Sequence, residues 1–239
     1  MTLTGIAGAS LAIAGLSGVR AVAFDFNGTI TSDDELQYLV YAETAAAELG
    51  VELDRPFFRA RLDGLSDPDL FHEIHRAFRL RPPTPEQLER LGRVRLARYL
   101  ARLRTVSPVR PEAAVLIRRL AVHLPLALVT NAPRAEVEPV LAHAGLTHLF
   151  AIVLSREDVT HGKPHPEGYI TAMERLAEIV PRLRPEDIVV FEDSAVGISA
   201  AGAAGMRTVA VHPAAGKHAD LMCTAMAEME LAREGWTIG

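Results

Sequence analysis

The chain has 239 residues, a formal net charge of -5 and one cysteine, Cys223. Hydrophobic residues make up 49% of it and charged residues 23%, which is typical of a globular protein with a sizeable core. The mild charge gives no indication of a nucleic-acid or membrane partner, and a single cysteine excludes an internal disulfide framework. We therefore expect a cytoplasmic protein in a reducing compartment, and composition leaves its oligomeric state open.

The first segment, residues 3–16, consists of small apolar residues. No lysine or arginine precedes it, as a signal peptide would require, and it is shorter than the roughly 20 residues that span a bilayer. We expect residues 1–20 to form an N-terminal extension, either poorly ordered or folded as a short helix on the core.

Short apolar runs rich in β-branched residues then alternate with helical patterns. The runs are Ala21–Phe26, Leu126–Thr130, Phe150–Leu154, Ile188–Phe191 and Thr208–Val211. The helical patterns between them are Pro111–His123, Ala135–Ala144, Glu167–Val180 and Ala195–Ala204. Each run is continuous rather than alternating, which is typical of strands buried on both faces of a parallel sheet. The order predicts a doubly wound, Rossmann-like α/β core.

The alternation stops from Asp33 to Arg104, where only helical patterns are present. They are Glu35–Leu49, Asp67–Phe78 and Pro85–Leu103, the last with Thr84 as a suitable N-cap. An insert directly after the first strand is expected above the carboxyl edge of the sheet. We therefore predict an α/β core domain of residues 21–32 and 105–239, and an all-helical cap domain of residues 33–104.

Polar residues that follow the apolar runs are candidate site residues, because open α/β sheets bind ligands where their strands end. They are Asp25, Asn27, Gly28 and Thr29 after the first run, Thr130 and Asn131 after the second, Lys163 after the third, and Glu192 and Asp193 after the fourth. Acids, a lysine, a hydroxyl and backbone amides are what a phosphoryl group with a divalent cation requires. The set indicates phosphoryl transfer.

These segments, in this order, resemble the signature of the haloacid dehalogenase-like hydrolases, most closely the branch of phosphatases and phosphomutases with a helical cap. The resemblance extends from Ala21 to about His212, and Phe191–Gly197 is its most characteristic stretch. It implies an enzyme that hydrolyses a phosphate monoester of a small metabolite, with Mg2+ as cofactor.

The resemblance also implies a role for each site residue. Asp25 attacks phosphorus and forms an aspartyl-phosphate, while Lys163 neutralises the charge between them. The groups implied to bind the substrate are Thr130, Asn131, Lys163, Gly28 and Thr29. The implied metal ligands are Asp25, the carbonyl of Asn27, Glu192 and Asp193.

One position departs from the family's pattern. Its phosphatases usually place a second aspartate two residues after the nucleophile, where this chain has Asn27. Asparagine keeps the backbone carbonyl but cannot carry the proton, and general acid–base catalysis is worth about 10²–10⁴-fold. We expect slow turnover unless Asp33, Asp34 or Glu35 supplies the proton, although solvated surface acids are the simpler interpretation of all three. The alternative function is a catalytically weakened member that binds a phosphorylated ligand or a protein partner. One sequence does not distinguish a natural Asn27 from an engineered one.

Other branches of the family fit the sequence less well. Phosphonate-cleaving relatives need a cap lysine, and residues 33–104 contain none. Dehalogenases need no metal, so keeping both Glu192 and Asp193 favours a phosphatase. Sugar-phosphate mutases carry basic residues in a cap loop where this chain has Asp63 and Asp67.

Two histidine pairs and the cap arginines are further candidates. His72 and His75 lie three residues apart on one predicted helix, where an exposed or half-buried pair is a simpler interpretation than a metal site. His161 and His165 flank Lys163, where contact with substrate is the less favoured interpretation. The arginines of the cap are interpreted mostly as a solvated face, from which some could reach the site.

Overall fold

The structure is a computed structural model that describes residues 11–13, 16–62, 64–103, 107–213, 215–223, 226 and 231–233. Its strands are β1 (Leu11–Ile13), β2 (Leu16–Val19), β3 (Ala21–Phe24), β4 (Leu126–Val129), β5 (Ile152–Leu154), β6 (Ile188–Glu192), β7 (Arg207–Ala210), β8 (Leu221–Met222) and β9 (Leu231–Arg233). Its α-helices are α1 (Asp34–Leu49), α2 (Arg55–Arg61), α3 (Asp67–Ala77), α4 (Pro85–Leu103), α5 (Pro111–Ala121), α6 (Arg134–His143), α7 (Glu167–Ala177) and α8 (Ala195–Ala203).

The main sheet is parallel, in the order β5-β4-β3-β6-β7-β8. The predicted strand runs lie in it as β3 to β7, and the predicted doubly wound α/β core is confirmed. The strand order reverses between β3 and β6, which run side by side with Phe24 opposite Phe191. Their rings stack with centroids 4.9 Å apart, so packing supports the register that aligns the ends of these two strands.

Alternate residues of the central strands belong to two separate hydrophobic layers. Phe24 and Leu128 pack with residues of α5 and α6 in one layer, whereas Ala23 and Val129 pack with residues of α7 and α8 in the other. Burial on both faces is the reason why the strand sequences are continuously apolar. The polar side chains that follow the strands are thereby concentrated at the carboxyl edge of the sheet.

Helices α1 to α4 share a hydrophobic cluster of their own. Tyr41, Phe58, Phe71 and Leu91 bring one residue from each helix to it. Helix α4 begins after Thr84 as predicted, and the Thr84 hydroxyl accepts a 3.3 Å hydrogen bond from a backbone N–H of the first turn. These four helices are called the inserted helices below.

Helix α2 has no counterpart in the sequence-based prediction. Its N-cap is Asp54, whose carboxylate accepts a 2.7 Å hydrogen bond from the N–H of Phe57, and a proline lies in the first turn. The helix has 7 residues, which is too short for apolar periodicity to be recognised in a segment rich in arginine.

The N-terminal segment differs from its predicted form. Leu11–Ile13 is a strand and not part of a helix, because it pairs antiparallel with β2 on one side and with β9 on the other. Both neighbours satisfy its backbone groups, which a short helix of small residues would do less well. Residues 1–10, 14 and 15 lie outside the described residues. No helix in the described part of the chain is long and apolar enough to cross a membrane.

Candidate active site

The carboxyl ends of β3 and β6 place an aspartate beside a lysine. Asp25 follows β3, its N–H donates a 3.0 Å hydrogen bond to the carbonyl of Phe191, and it is 8% exposed. The ammonium group of Lys163 donates to Asp25 Oδ1 at 2.6 Å and to Glu192 Oε1 at 2.5 Å. The structure thus brings three of the predicted site residues into one buried cluster.

Glu192 is the most enclosed member of this cluster. It is fully buried, and it also accepts hydrogen bonds from the hydroxyls of Tyr169 at 2.8 Å and Ser194 at 3.2 Å. Helix α8 begins so close that a Cβ on Gly197 would lie 1.8 Å from Glu192 Oε1. The carboxylate is therefore engaged by three side-chain donors and serves as a counter-ion of Lys163.

The charges of the cluster act against one another. The pKa of Asp25 is raised to about 7, chiefly by burial and secondly by the charge of Glu192, against the opposing effect of Lys163. Burial lowers the pKa of Lys163, but the two carboxylates outweigh it and the net direction is upward. One ammonium group for two buried carboxylates leaves an excess of negative charge, which a divalent cation would neutralise.

Asp193 adds a third carboxylate beside those of Asp25 and Glu192, and these three residues are called the acidic edge below. The neighbours of Asp193 hold its side chain in place. Its Oδ1 accepts a 3.4 Å hydrogen bond from the hydroxyl of Thr29, which is fully buried. Gly28 has a φ of +75°, and a Cβ there would lie 1.9 Å from Asp193 Oδ2, so glycine is required at this position. Thr29, predicted to bind substrate, thus makes a side-chain contact with Asp193, and the backbone of Gly28, predicted with it, passes close to the same carboxylate.

The acidic edge has the composition of a site for a hard cation. One carboxylate oxygen each from Asp25, Glu192 and Asp193 lies within 4.8 Å of the other two. Carboxylate oxygens are the ligands that Mg2+ prefers, and the close approach of the backbone at Gly28 keeps the carboxylate of Asp193 on this edge. The residues present therefore fit the implied cofactor.

Thr130 and Asn131 follow β4 and face the loop that carries Lys163. The Thr130 hydroxyl accepts a 3.0 Å hydrogen bond from the N–H of Ala132, and its own proton has no acceptor among the described residues. The Asn131 side chain accepts from the N–H of Lys163 at 2.9 Å and donates to the carbonyl of Gly64 at 2.9 Å. Asn131 thus ties the Lys163 loop to the loop between α2 and α3.

The side-chain amide of Asn27 is held by two buried acids. Its Nδ2 donates to Glu136 Oε1 at 2.9 Å and to Asp33 Oδ2 at 3.3 Å. Gln37 donates to the same two oxygens, at 2.9 Å and 3.0 Å. With Nδ2 committed to the acids, Oδ1 is the side-chain atom of Asn27 that is left to interact with a ligand.

The two acids are in turn bound by the inserted helices. Arg95, which is 1% exposed, forms ion pairs with Glu136 and, at 2.7 Å, with Asp67. The hydroxyl of Tyr99 donates to Asp33 at 2.5 Å. Burial raises the pKa of Glu136, and Arg95 opposes that shift. A buried polar network therefore connects the end of β3 to α3 and α4.

A cavity of about 80 Å³ lies where the strand ends meet the inserted helices. Asp25, Thr130 and Lys163 line it from the core, and Asp34 and Arg95 line it from the other side. Its lining holds more carboxylates than cationic side chains, so a small anionic ligand would need the charge of a bound cation there as well as that of Lys163.

The acids at the entry to the inserted helices have different surroundings. The interpretation as a solvated acid holds for Glu35, which forms an exposed ion pair with Arg55, but it is wrong for Asp33, which is 3% exposed within the buried network. Asp34 is exposed, as that interpretation expects, and it is the one of the three that lines the cavity with Asp25. Its pKa is raised, chiefly by desolvation and secondly by the charge of Asp33.

Residues of the site that were not identified from the sequence include Glu136, Arg95, Tyr169, Gln37 and Tyr99. Glu136 stands in the first turn of α6, shortly after the polar end of β4, and that position is the one signal that could have drawn attention to it. Arg95 is one of many arginines on the inserted helices, and nothing in the sequence distinguishes Tyr169 from an ordinary core residue. Asp63, predicted in the cap loop, lies outside the described residues.

Comparison with known proteins identifies the family. A family model of the haloacid dehalogenase-like hydrolases matches residues 19–205. The chain belongs to this family. The match confirms the predicted family and the prediction of a hydrolase.

Two relatives and one solved structure show which members of the family are similar to this chain. A bifunctional riboflavin kinase/FMN phosphatase of Arabidopsis thaliana is 37% identical over 103 residues, 42% of this chain and 26% of that protein. A phosphoglycolate phosphatase of Photorhabdus laumondii is 30% identical over 204 residues, 80% of this chain and 79% of that protein. The crystal structure of CbbY from Rhodobacter sphaeroides in complex with phosphate is 27% identical, with a TM-score of 0.73 and coverage of 88% of this chain and 96% of that chain.

Proposed function

We propose that this hydrolase is a phosphatase that removes the phosphoryl group from a phosphate monoester of a small metabolite, with Mg2+ as cofactor and Asp25 as nucleophile. The observation that carries the proposal is the surroundings of Asp25. Its carboxylate lines a cavity at the end of β3, 2.6 Å from the ammonium group of Lys163 and beside the acidic edge. The two relatives are named as phosphatases of FMN and of phosphoglycolate, and the CbbY crystal contains phosphate, which supports this substrate class.

The metal would be held by Asp25, Asp193 and the backbone carbonyl of Asn27. Glu192 is less available to the metal than these groups, because three side-chain donors already engage its carboxylate, and it contributes mainly negative charge to this position. Bound Mg2+ neutralises the charge on the phosphoryl oxygens.

The chemistry of the chain's own residues follows from the same arrangement. The carboxylate of Asp25 attacks phosphorus, the bond from phosphorus to the leaving oxygen breaks, and an aspartyl-phosphate forms. Lys163 and the free hydroxyl proton of Thr130 donate to the phosphoryl oxygens and stabilise the charge in the transition state. Attack by water on the intermediate then releases phosphate and restores the carboxylate.

Proton transfer is the slow step of this mechanism. Asn27 Oδ1 can accept a hydrogen bond from the attacking water and orient it, but it cannot take the proton. Asp34 lines the cavity and its raised pKa suits a group that donates a proton to the leaving oxygen and later accepts one from water. We propose Asp34 for this role, at a rate below that of a carboxylate at position 27.

The second candidate function is a catalytically weakened family member that binds a phosphorylated ligand. The observation that favours it is that two carboxylates hold Asn27 through Nδ2, which leaves Oδ1, an atom that cannot carry the proton, to face a ligand. We also propose that residues 33–104 act as a cap over the cavity and that the protein works in the cytoplasm.

Hydrolysis of p-nitrophenyl phosphate, with and without Mg2+, tests the proposal. We expect slow turnover that requires Mg2+, is abolished in Asp25→Asn, and shows a much higher apparent KM for Mg2+ in Asp193→Asn than in Glu192→Gln. Absence of turnover on this ester and on a broad panel of phosphometabolites, with ligand binding intact, supports the binding function instead.

A further inference from the structure

Two histidines and a glutamate lie together on the outer side of the loop that carries Lys163. His161 and His165 are exposed, and their ring centroids are 4.7 Å apart. Glu167 begins α7 and is partly buried. One ligand atom from each of the three side chains lies within 4.8 Å of the other two.

The carboxylate of Glu167 is directed at the two rings by the backbone. It accepts hydrogen bonds from the N–H groups of Thr160 at 2.6 Å and His161 at 2.9 Å, which fix its orientation before any ligand is present. Its Oε2 lies 2.9 Å from His161 Nδ1 and 3.9 Å from His165 Nδ1. His165 Nδ1 accepts a 3.2 Å hydrogen bond from the N–H of Glu167, which a metal ion at this nitrogen would replace.

The donor set differs in kind from the acidic edge at Asp25. Two imidazoles and a carboxylate suit a borderline metal ion such as Zn2+, whereas oxygen-only sets suit Mg2+. Metal–ligand bonds of about 2.0–2.2 Å at tetrahedral angles place neighbouring donor atoms roughly 3.3–3.6 Å apart. The two donor distances to Glu167 Oε2, 2.9 Å and 3.9 Å, lie on either side of that value, and the ligand atoms of the two rings lie within 4.8 Å of each other, so the rings would have to close around an ion to form the site.

We infer that His161, His165 and Glu167 form a second metal site, which takes a transition-metal ion of the Zn2+ class and is separate from the site at Asp25. Lys163 lies between the two histidines in sequence, but its ammonium group is directed inward at Asp25. An ion at the outer site ties both flanks of the Lys163 loop to the start of α7 without entering the cavity.

Calorimetric titration of the whole chain with Zn2+, in the presence of excess Mg2+ to occupy the acidic edge, tests this inference. We expect one Zn2+ per chain, with an affinity that falls about tenfold or more in His161→Gln and in His165→Gln. The control His143→Gln removes another exposed histidine and leaves the affinity unchanged. Substitution with Co2+ gives the intense visible bands of a tetrahedral site, and the His165→Gln variant loses them.

Three results would overturn the inference. The first is an absence of Zn2+ binding up to millimolar concentration, and the second is an affinity that is unchanged in both histidine variants. The third is binding that Asp193→Asn abolishes, which would assign the Zn2+ to the acidic edge. Circular dichroism of each variant shows that it is folded, so that a lost site is not confused with a lost fold. None of these readouts depends on phosphatase activity.

Discussion

Glu136 and Arg95 form an ion pair in which each side chain is 1% exposed, and the same Glu136 carboxylate accepts the 2.9 Å hydrogen bond from Asn27. One buried acid thus contacts both an inserted helix and the residue that stands where the family's phosphatases carry an aspartate. The Glu136 carboxylate therefore helps to fix both the position of the inserted helices and, together with Asp33, the orientation of the Asn27 amide.

Removal of the Glu136 charge should destabilise the protein more than removal of an exposed charge on α6. We expect Glu136→Gln to lower the free energy of unfolding by about 3 kcal/mol, because Arg95 is left buried with Asp67 as its remaining acidic partner among the described residues. Glu138→Gln is the matched control: that side chain is 60% exposed on the same helix, and its loss should change stability by less than about 0.5 kcal/mol. Urea denaturation measures both, and equal effects would contradict the importance of the buried pair.

The Asn27→Asp variant should gain phosphatase activity. A carboxyl group there would face Glu136 and Asp33, whose charges favour its protonated form and make it a suitable proton donor. General acid–base catalysis is worth about 10²–10⁴-fold, so we expect kcat to rise by tens of times or more. Steady-state kinetics with a phosphate ester measures it, with Asn27→Ala as the control that changes the amide without adding an acid. A rate equal to that of the unaltered chain would sink this account of Asn27.

Asp34 should carry the remaining proton transfer in the unaltered chain. We expect Asp34→Asn to lower kcat about tenfold or more, since it removes the one acid of the entry segment that lines the cavity. Glu35→Gln, at the next position, removes an acid that is paired with Arg55 on the surface and should leave kcat unchanged. If the two variants lose activity equally, Asp34 has no specific role. A charge effect on substrate binding would be visible in KM rather than in kcat.

Gly28 and Gly202 provide a test variant and a control variant for the metal site. In Gly28→Ala, the new methyl group would lie 1.9 Å from Asp193 Oδ2, so we expect a weaker apparent affinity for Mg2+ and a loss of activity. In Gly202→Ala, on α8, the methyl group meets no atom within 4 Å, and we expect a gain in stability of up to about 1 kcal/mol with unchanged activity. Thermal melting and Mg2+ titration of both variants check this, and normal Mg2+ dependence in Gly28→Ala would contradict the close approach.

The sheet could be predicted from the sequence because its strands are buried on both faces and therefore appear as continuous apolar runs. The polar residues that follow those runs predict Asp25, Lys163 and Glu192 at one edge of the sheet. Helix α2 could not be predicted, because 7 residues contain too few turns to show a helical period. The strand Leu11–Ile13 depends on pairing with residues more than 200 positions later in the chain, which local patterns do not reveal.

The polar network around Asn27 was hidden for a related reason. Glu136, Arg95 and Asp67 come from three different helices, and each looks like a surface charge on its own helix. Only their packing shows that Arg95 is buried and neutralised by two acids. Pairing across helices, rather than residue type, decides whether such a charge belongs to the site.

The central claim is that Asp25 carries the phosphoryl group, and trapping of that intermediate tests it most directly. Borohydride reduction after acid quench of a reaction with p-nitrophenyl phosphate and Mg2+ converts an aspartyl-phosphate into homoserine, which peptide mass spectrometry locates. We predict homoserine at position 25 in the unaltered chain, and in a larger fraction than in Asn27→Asp, because slow proton transfer delays hydrolysis of the intermediate. Absence of the modification during turnover, or its presence at Asp193 instead, would contradict the assignment of Asp25 as nucleophile.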